Sequence, residues 1–262
     1  IGVMFTAGQE FHADLVDGVY VAVDELGYDV VLSGVTPHRD EARAVRTLID
    51  DRCEGLLLIG PQMPTREIAE LAERVPAVVI ARRVRGVDAV RSDDVAGAAM
   101  GCEHLVDLGH RDIVYLDAGR APGAAERRRG YLRRARLAGL SGATHPGGLT
   151  EREGAAAASA LLAKASPPTA LFAFSDRCAL GAMDVLIRAG MSVPQDISVL
   201  GFDDSPLASL SHIDLATIRQ DSAGLAKTAV QRLTERLDGT AADAGAVDLT
   251  REPTLVARGT TA

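Results

Sequence analysis

Short apolar runs alternate with amphipathic stretches along nearly the whole of this chain, and that alternation leaves few folds open. Ile1–Phe5, Asp29–Leu32, Gly55–Ile59 and Ala77–Ala81 are rich in Val, Ile and Leu and are bounded by Gly, Pro or charge. Runs of that kind read as strands buried on both faces. Between them, Phe11, Leu15, Val19, Val23 and Leu26 recur at helical steps before Gly27, and Ala42, Val45, Leu48 and Ile49 repeat the pattern. Such spacing gathers apolar side chains on one helix face, and the glycine stops the helix. Strand starts fall about 22 to 28 residues apart, which suits right-handed βαβ crossovers.

The pattern resumes after a connecting stretch, Gly86–Asp94. A helix over Val95–Leu108 stops at Gly109, Ile113–Leu116 is a strand, and a helix covers Ala124–Ala138. A weak strand lies near Ala143. Thr150 and Glu153 have the spacing of a capping box and open the next helix. Strand Ala170–Phe174, helix Arg177–Ala189 and strand Ile197–Phe202 follow, then a helix marked by Leu225, Ala229, Leu233 and Leu237, and a closing strand at Leu255–Ala257. Two successive blocks predict two α/β lobes rather than one very wide sheet. Asp238–Ala246 (DGTAADAGA) reads as a flexible surface loop by composition.

Hydrophobic residues make up 47% of the 262, and charged residues 24%, as in globular proteins. No apolar run approaches the roughly 18 residues that span a bilayer, so no membrane partner is expected. A net charge of −8 repels the phosphate backbone, which makes this polypeptide alone a poor DNA binder. The run Arg127–Arg129 with Arg133 and Arg134 reads as a solvated helix face. Cys53, Cys102 and Cys178 are widely spaced and form no C-x-x-C, which points to buried or half-buried thiols in a reducing, cytoplasmic setting. Ile1 begins a strand with no initiator Met, and the expectation is that a segment was cut off upstream.

The motifs of catalysis are missing. No strand is followed by G-x-G-x-x-G, and there is no Walker loop and no G-x-S-x-G. The six histidines show no metal-ligand spacing. Neither cofactor nor metal is expected, and the chain reads as no enzyme. His110, after the helix-stopping Gly109, reads as a cap for helix carbonyls. Leu171–Ser205 is more telling. Two of its strands end in acidic turns, Ser175-Asp176 and Asp203-Asp204. Ligands of open parallel sheets bind at the carboxyl ends of strands. Adjacent carboxylates rarely reach one atom, so ligand hydrogen bonding by one of them is favoured over paired catalysis. Ser175 reads as the N-cap of the next helix, beside free backbone N–H groups.

Five segments in register resemble LacI-type transcriptional regulators: Leu108-Gly109-His110-Arg111-Asp112-Ile113; Arg127-x-x-Gly130-Tyr131; Ser175-Asp176-x-x-Ala179-Leu180-Gly181-Ala182; Val193 to Asp204 (VPQDISVLGFDD); and Thr217-Ile218-Arg219-Gln220. The resemblance implies an α/β fold of two Rossmann-like lobes with parallel sheets, periplasmic-binding-protein-like of type I, with a ligand cleft between them. It implies an N-terminal lobe of residues 1–92 plus 222–248 and a C-terminal lobe of 93–221 plus 249–262. It further implies an effector-binding and dimerisation core, acting as a homodimer, with operator DNA contacted through a helix-turn-helix absent from this chain. The effector is expected to be a sugar or related polar metabolite. Carried over by position, its contacts fall on Gln9, Phe11, His12, Arg82, Arg127, Leu149, Ser175, Asp203 and Gln220. The first loop departs from the family wording, with Thr6-Ala7-Gly8-Gln9-Glu10 in place of D-x-x-N-P and His12 where a second aromatic is common. Two arginines leave an anionic ligand open. Two other readings share parts of the pattern: a periplasmic sugar-binding protein of a transporter, and an α/β enzyme acting on a sugar or nucleotide.

Overall fold

The computed structural model describes residues 1–24, 26–241 and 244–262. In chain order its elements are β1 (Gly2–Thr6), α1 (Glu10–Asp24), β2 (Val31–Val35), α2 (Glu41–Asp50), β3 (Leu56–Ile59), α3 (Thr65–Ala72), β4 (Ala77–Ile80) and β5 (Asp88–Ser92). Then come α4 (Asp94–Asp107), β6 (Ile113–Asp117), α5 (Ala124–Leu137), β7 (Ala143–Pro146), α6 (Glu151–Leu162), β8 (Ala170–Ala173), α7 (Asp176–Arg188) and β9 (Ser198–Asp203). A 3-10 turn at Pro206–Ser209 precedes β10 (Ala216–Arg219), α8 (Ser222–Leu237), β11 (Asp248–Arg251) and β12 (Thr254–Val256). The chain divides into two compact units, Ile1–Ser92 with Asp221–Arg251, and Asp93–Gln220 with Glu252–Ala262.

The first unit holds a parallel sheet in the order β11-β5-β4-β3-β1-β2. Its central strands, LLLI and AVVI, are buried throughout. Helices cover both faces, as a parallel sheet requires. Leu15, Val19, Leu225 and Leu233 close one core, and Leu48, Ile68 and Leu71 close the other. The stretch 86–94, expected to be a plain connection, contains β5. Its pattern hid a strand because Asp88 is a buried charge. The chain recrosses later than the expected 248, because β11 pairs residue for residue with β5 up to Arg251↔Ser92. Asp221 belongs with the first unit as the N-cap of α8, accepting from Gly224 N. Of the loop expected over 238–246, residues 242 and 243 lie outside the described residues.

The second unit has the order β12-β10-β9-β8-β6-β7, parallel except for β12. Its two cores lie around Leu171, Ala182 and Leu186, and around Tyr115, Tyr131, Phe172 and Phe202. Thr150 and Glu153 form the capping box of α6. His110 caps its own helix through the backbone, its N donating to Leu105 O at 3.1 Å beside Gly109 N on Val106 O; Arg111 Nη1 also donates to Val106 O. The His110 ring ties three segments together, with Nδ1 on Thr169 Oγ1 and Nε2 on Ser198 Oγ and Ala262 O. The thiols of Cys102 and Cys178 are buried and that of Cys53 is half-buried, all of them free. No helix among the described residues is long and apolar enough to cross a membrane.

Asp88 deserves its burial only because two cations meet it. Arg232 Nε and Arg236 Nε each donate to Asp88 Oδ2 at 2.8 Å, and Val247 N donates to Oδ1 at 2.7 Å. Burial alone raises a carboxyl pKa, but here the hydrogen bonds from Arg236, Val247 and Arg232 outweigh it and hold Asp88 below its ordinary value. That stabilisation is fully present above the unfolded value of about 4 and is lost as pH falls below it through the lower folded value. We expect Asp88→Ala, which leaves buried Arg232 with only the exposed Glu235 as its countercharge, to lower unfolding free energy by about 3 kcal/mol in urea denaturation. A loss under about 1 kcal/mol would mark the cluster as a surface pair.

Candidate functional site

In the second unit, β8, β9 and β10 deliver their last residues to one sheet edge. Ser175, after β8, is buried and caps α7, its Oγ accepting from Cys178 N. Arg127, near the start of α5, is buried as well. It is not part of a solvated arginine face; that description fits the exposed Arg129 and Arg133, while Arg128 pairs with Asp117 and Arg134 with Glu103. Arg127 Nε donates to Asp94 Oδ1 at 2.7 Å and Nη1 to Phe174 O at 2.6 Å. Its guanidinium carbon lies 3.6 Å from the Phe202 ring centroid and 4.4 Å from that of Phe174. Cation–π contact of this kind is favourable for a desolvated arginine.

Asp203 Oδ1 lies 3.5 Å from Arg127 Nη1 and accepts from Gln220 Nε2 at 2.7 Å. Its side chain keeps 17% of its surface exposed, so an incoming group can reach it. The backbone carrying it is strained, with φ of +119° at Asp203 and +63° at Asp204. This turn sends the adjacent carboxylates to different partners. Asp204 takes Arg219 Nε and Arg258 Nη2, each at 2.6 Å. Leu149 packs beside the aromatic core of the same unit. The sequence reading missed three supporting groups. Asp94 holds Arg127, and fully buried Asp176 accepts from Thr217 Oγ1 at 2.6 Å and Ser205 N at 2.7 Å. Asp176 was signalled by its strand-end position and, like Thr217, by a family-like segment, though not in this role; Asp94 carried no signal of its own.

In the first unit, the carboxyl edge gathers Gln9, His12 and Arg82. Gln9 O accepts from His12 N and Ala13 N and so begins α1. His12 Nδ1 accepts from Thr6 N at 3.0 Å, and burial lowers its pKa to about 4. Phe11 is half-buried against the core of this unit. Arg82 Nη1 donates to Pro61 O and Met63 O, at 2.8 and 2.7 Å, which fastens the loop after β3. No group of three or more His, Cys, Asp or Glu placed to hold a metal occurs among the described residues.

Residues 102–261 match the family model of the periplasmic binding protein-like domain. A solved LacI transcriptional regulator from a Rhodococcus species is 47% identical with a TM-score of 0.95, covering 100% of this chain and 97% of that one. The ribose operon repressor of Escherichia coli K12 is 32% identical over 99% of this chain and 81% of its own length. The chain belongs to the LacI family of transcriptional regulators. It is the effector-binding core of such a regulator. Another LacI-type structure, the transcriptional regulator CelR in complex with cellobiose, is 27% identical with a TM-score of 0.88, covering 99% of this chain and 83% of that one.

In this LacI-family core, Asp94 and Asp203 both face the buried Arg127, and Asp176 lies buried at the same edge. Burial pushes the Asp203 carboxyl above its ordinary value; Arg127 opposes the shift and Asp176 adds to it. Asp176 is raised by burial too, against its hydrogen bonds from Thr217 and Ser205. A carboxyl whose folded pKa lies above its unfolded one binds more protons when folded, so stability falls as pH rises beyond about 4. We expect the melting temperature to drop between about pH 5 and pH 8, and Asp203→Asn to flatten that slope. An unchanged slope in the variant would show that Asp203 is ionised throughout.

Proposed function

We propose that this core binds a neutral, hydroxyl-rich small molecule, a sugar or sugar derivative, and that its occupancy controls operator binding by a cytoplasmic homodimeric regulator. The proposed contacts are Gln9, Phe11, His12, Arg82, Arg127, Leu149, Ser175, Asp203 and Gln220. The observation that carries the reading is the state of the two arginines. Arg127 is engaged by Asp94 and a backbone carbonyl, and Arg82 by two carbonyls. Arg127 therefore already has its countercharge in Asp94, while Arg82 has its Nη1 tied to the loop and its Nη2 on Thr65 Oγ1 at 3.3 Å. What stands open at the strand ends is Asp203, a reachable acceptor flanked by the Gln220 amide and the Arg127 guanidinium. An acceptor beside donors matches vicinal hydroxyls, each of which donates and accepts. The cellobiose-bound relative supports the same class of ligand.

The net charge of −8 argues that DNA contact lies with a domain outside these residues. Tyr20 and Val21 on α1 and Leu32 on the edge strand β2 are exposed apolar side chains that suit a subunit contact. A thermal-shift screen of sugars, sugar phosphates, nucleosides and small acids tests the reading. We expect neutral sugars to raise the melting temperature and their phosphates to do so less. Asp203→Ala should then weaken the best sugar by about 2–4 kcal/mol in calorimetry. A preference for sugar phosphates, or full affinity in Asp203→Ala, would overturn it.

A further inference from the structure

We infer that His12 presents a fixed Nε2–H donor at the carboxyl edge of the first sheet, and that this donor takes an acceptor oxygen of the effector. The inference rests on the function proposed above and adds a specificity rule to it.

The strand ladder sets the tautomer. Gly2 N donates to Gly55 O, on the β3 side of β1. Strand amides alternate in direction, so Thr6 N faces the same side. The β1–β3 ladder ends at Met4↔Leu58, and Thr6 N is the first amide beyond it. His12 Nδ1 meets that amide at 3.0 Å in place of a strand carbonyl. A ring nitrogen that accepts carries no proton, so the proton of the neutral imidazole is on Nε2. The ring is neutral at physiological pH, because burial lowers its pKa to about 4.

The ring is also fixed in place. It lies against Gly60, where a Cβ would stand 2.8 Å from Nε2 and 2.9 Å from Cε1. Gly60 has φ +55°, so a side chain there meets both backbone strain and the imidazole. Gly60 N is itself engaged, donating to Ile80 O at 2.9 Å. Among the described residues Nε2 makes no hydrogen bond. One neutral donor therefore remains at a strand-end edge, where parallel sheets hold their ligands. Such a group selects hydroxyl, ether or carbonyl oxygen and offers nothing to a cation.

The test is a long-range proton–nitrogen correlation spectrum of the full chain at pH 7, with His12 assigned by comparison with His12→Phe. We expect a bare Nδ1 and a protonated Nε2 in the free protein, and a shift of the Nε2 signal when D-ribose or cellobiose is added to saturation. In calorimetry, His12→Phe should weaken the sugar that binds by about tenfold or more, and His12→Gln, which keeps an N–H near that point, by less. A protonated Nδ1, or an Nε2 signal unmoved by a sugar that demonstrably binds, would overturn the inference and leave the sugar reading standing. If neither sugar nor any other neutral sugar of the screen binds, the sugar reading falls and the role of His12 falls with it. If His12→Phe does not fold, His12→Gln supplies the assignment and the wild-type spectra still decide the matter.

Discussion

A guanidinium removed from water organises the carboxyl edge of the second sheet. Burying a lone cation costs many kcal/mol, so Arg127 must find partners wherever it sits. Asp94 supplies the countercharge, Phe174 a carbonyl, and the rings of Phe202 and Phe174 a polarisable wall. Those partners come from α4, from the end of β8 and from β9. One side chain thus fixes the relative placement of the elements that end at this edge. Asp203 is then held beside a cation and the Gln220 amide, on backbone that a relaxed turn does not adopt. A lysine in place of Arg127 could not reproduce this, since an ammonium has no planar fork to serve several acceptors at once.

The first unit reaches a comparable end by other means. Arg82 grips carbonyls of the loop after β3, and His12 closes the last open amide of β1. Arg127 is neutralised by the protein itself, and Arg82 is anchored in part by the loop it fastens. What remains at the edges is a carboxylate, an amide and an imidazole N–H. Groups of that kind discriminate hydroxyl patterns.

Much of this fold was legible from spacing alone, because a strand such as LLLI or AVVI is buried on both faces and has no polar position to confuse it. Legibility failed where charge was buried or apolar character was absent. Asp88 disguised β5, and β11, with every residue exposed, has no hydrophobic signature and exists through its pairing with β5. At the site, the strand-end residues Ser175 and Asp203 could be picked out by position, and Gln220 through the family resemblance. Arg127 could not be told from its neighbours Arg128 and Arg129 without the helix rotation that points it inward. Asp94 and Thr217 act through partners distant in sequence, so no local pattern betrays these roles. The helix-capping role of His110 was legible, but its ring partners, Thr169, Ser198 and Ala262, were not, for the same reason.

The central claim is that a small polar effector is held by the strand-end edges of this chain. Hydrogen–deuterium exchange, followed by mass spectrometry with and without a saturating neutral sugar, tests it most directly. The account predicts slowed exchange in the segments 6–13, 174–179, 202–205 and 219–222, with the rest of the chain little changed. Slowing confined to the outer helix faces, or none at these segments in the presence of a bound sugar, would contradict it.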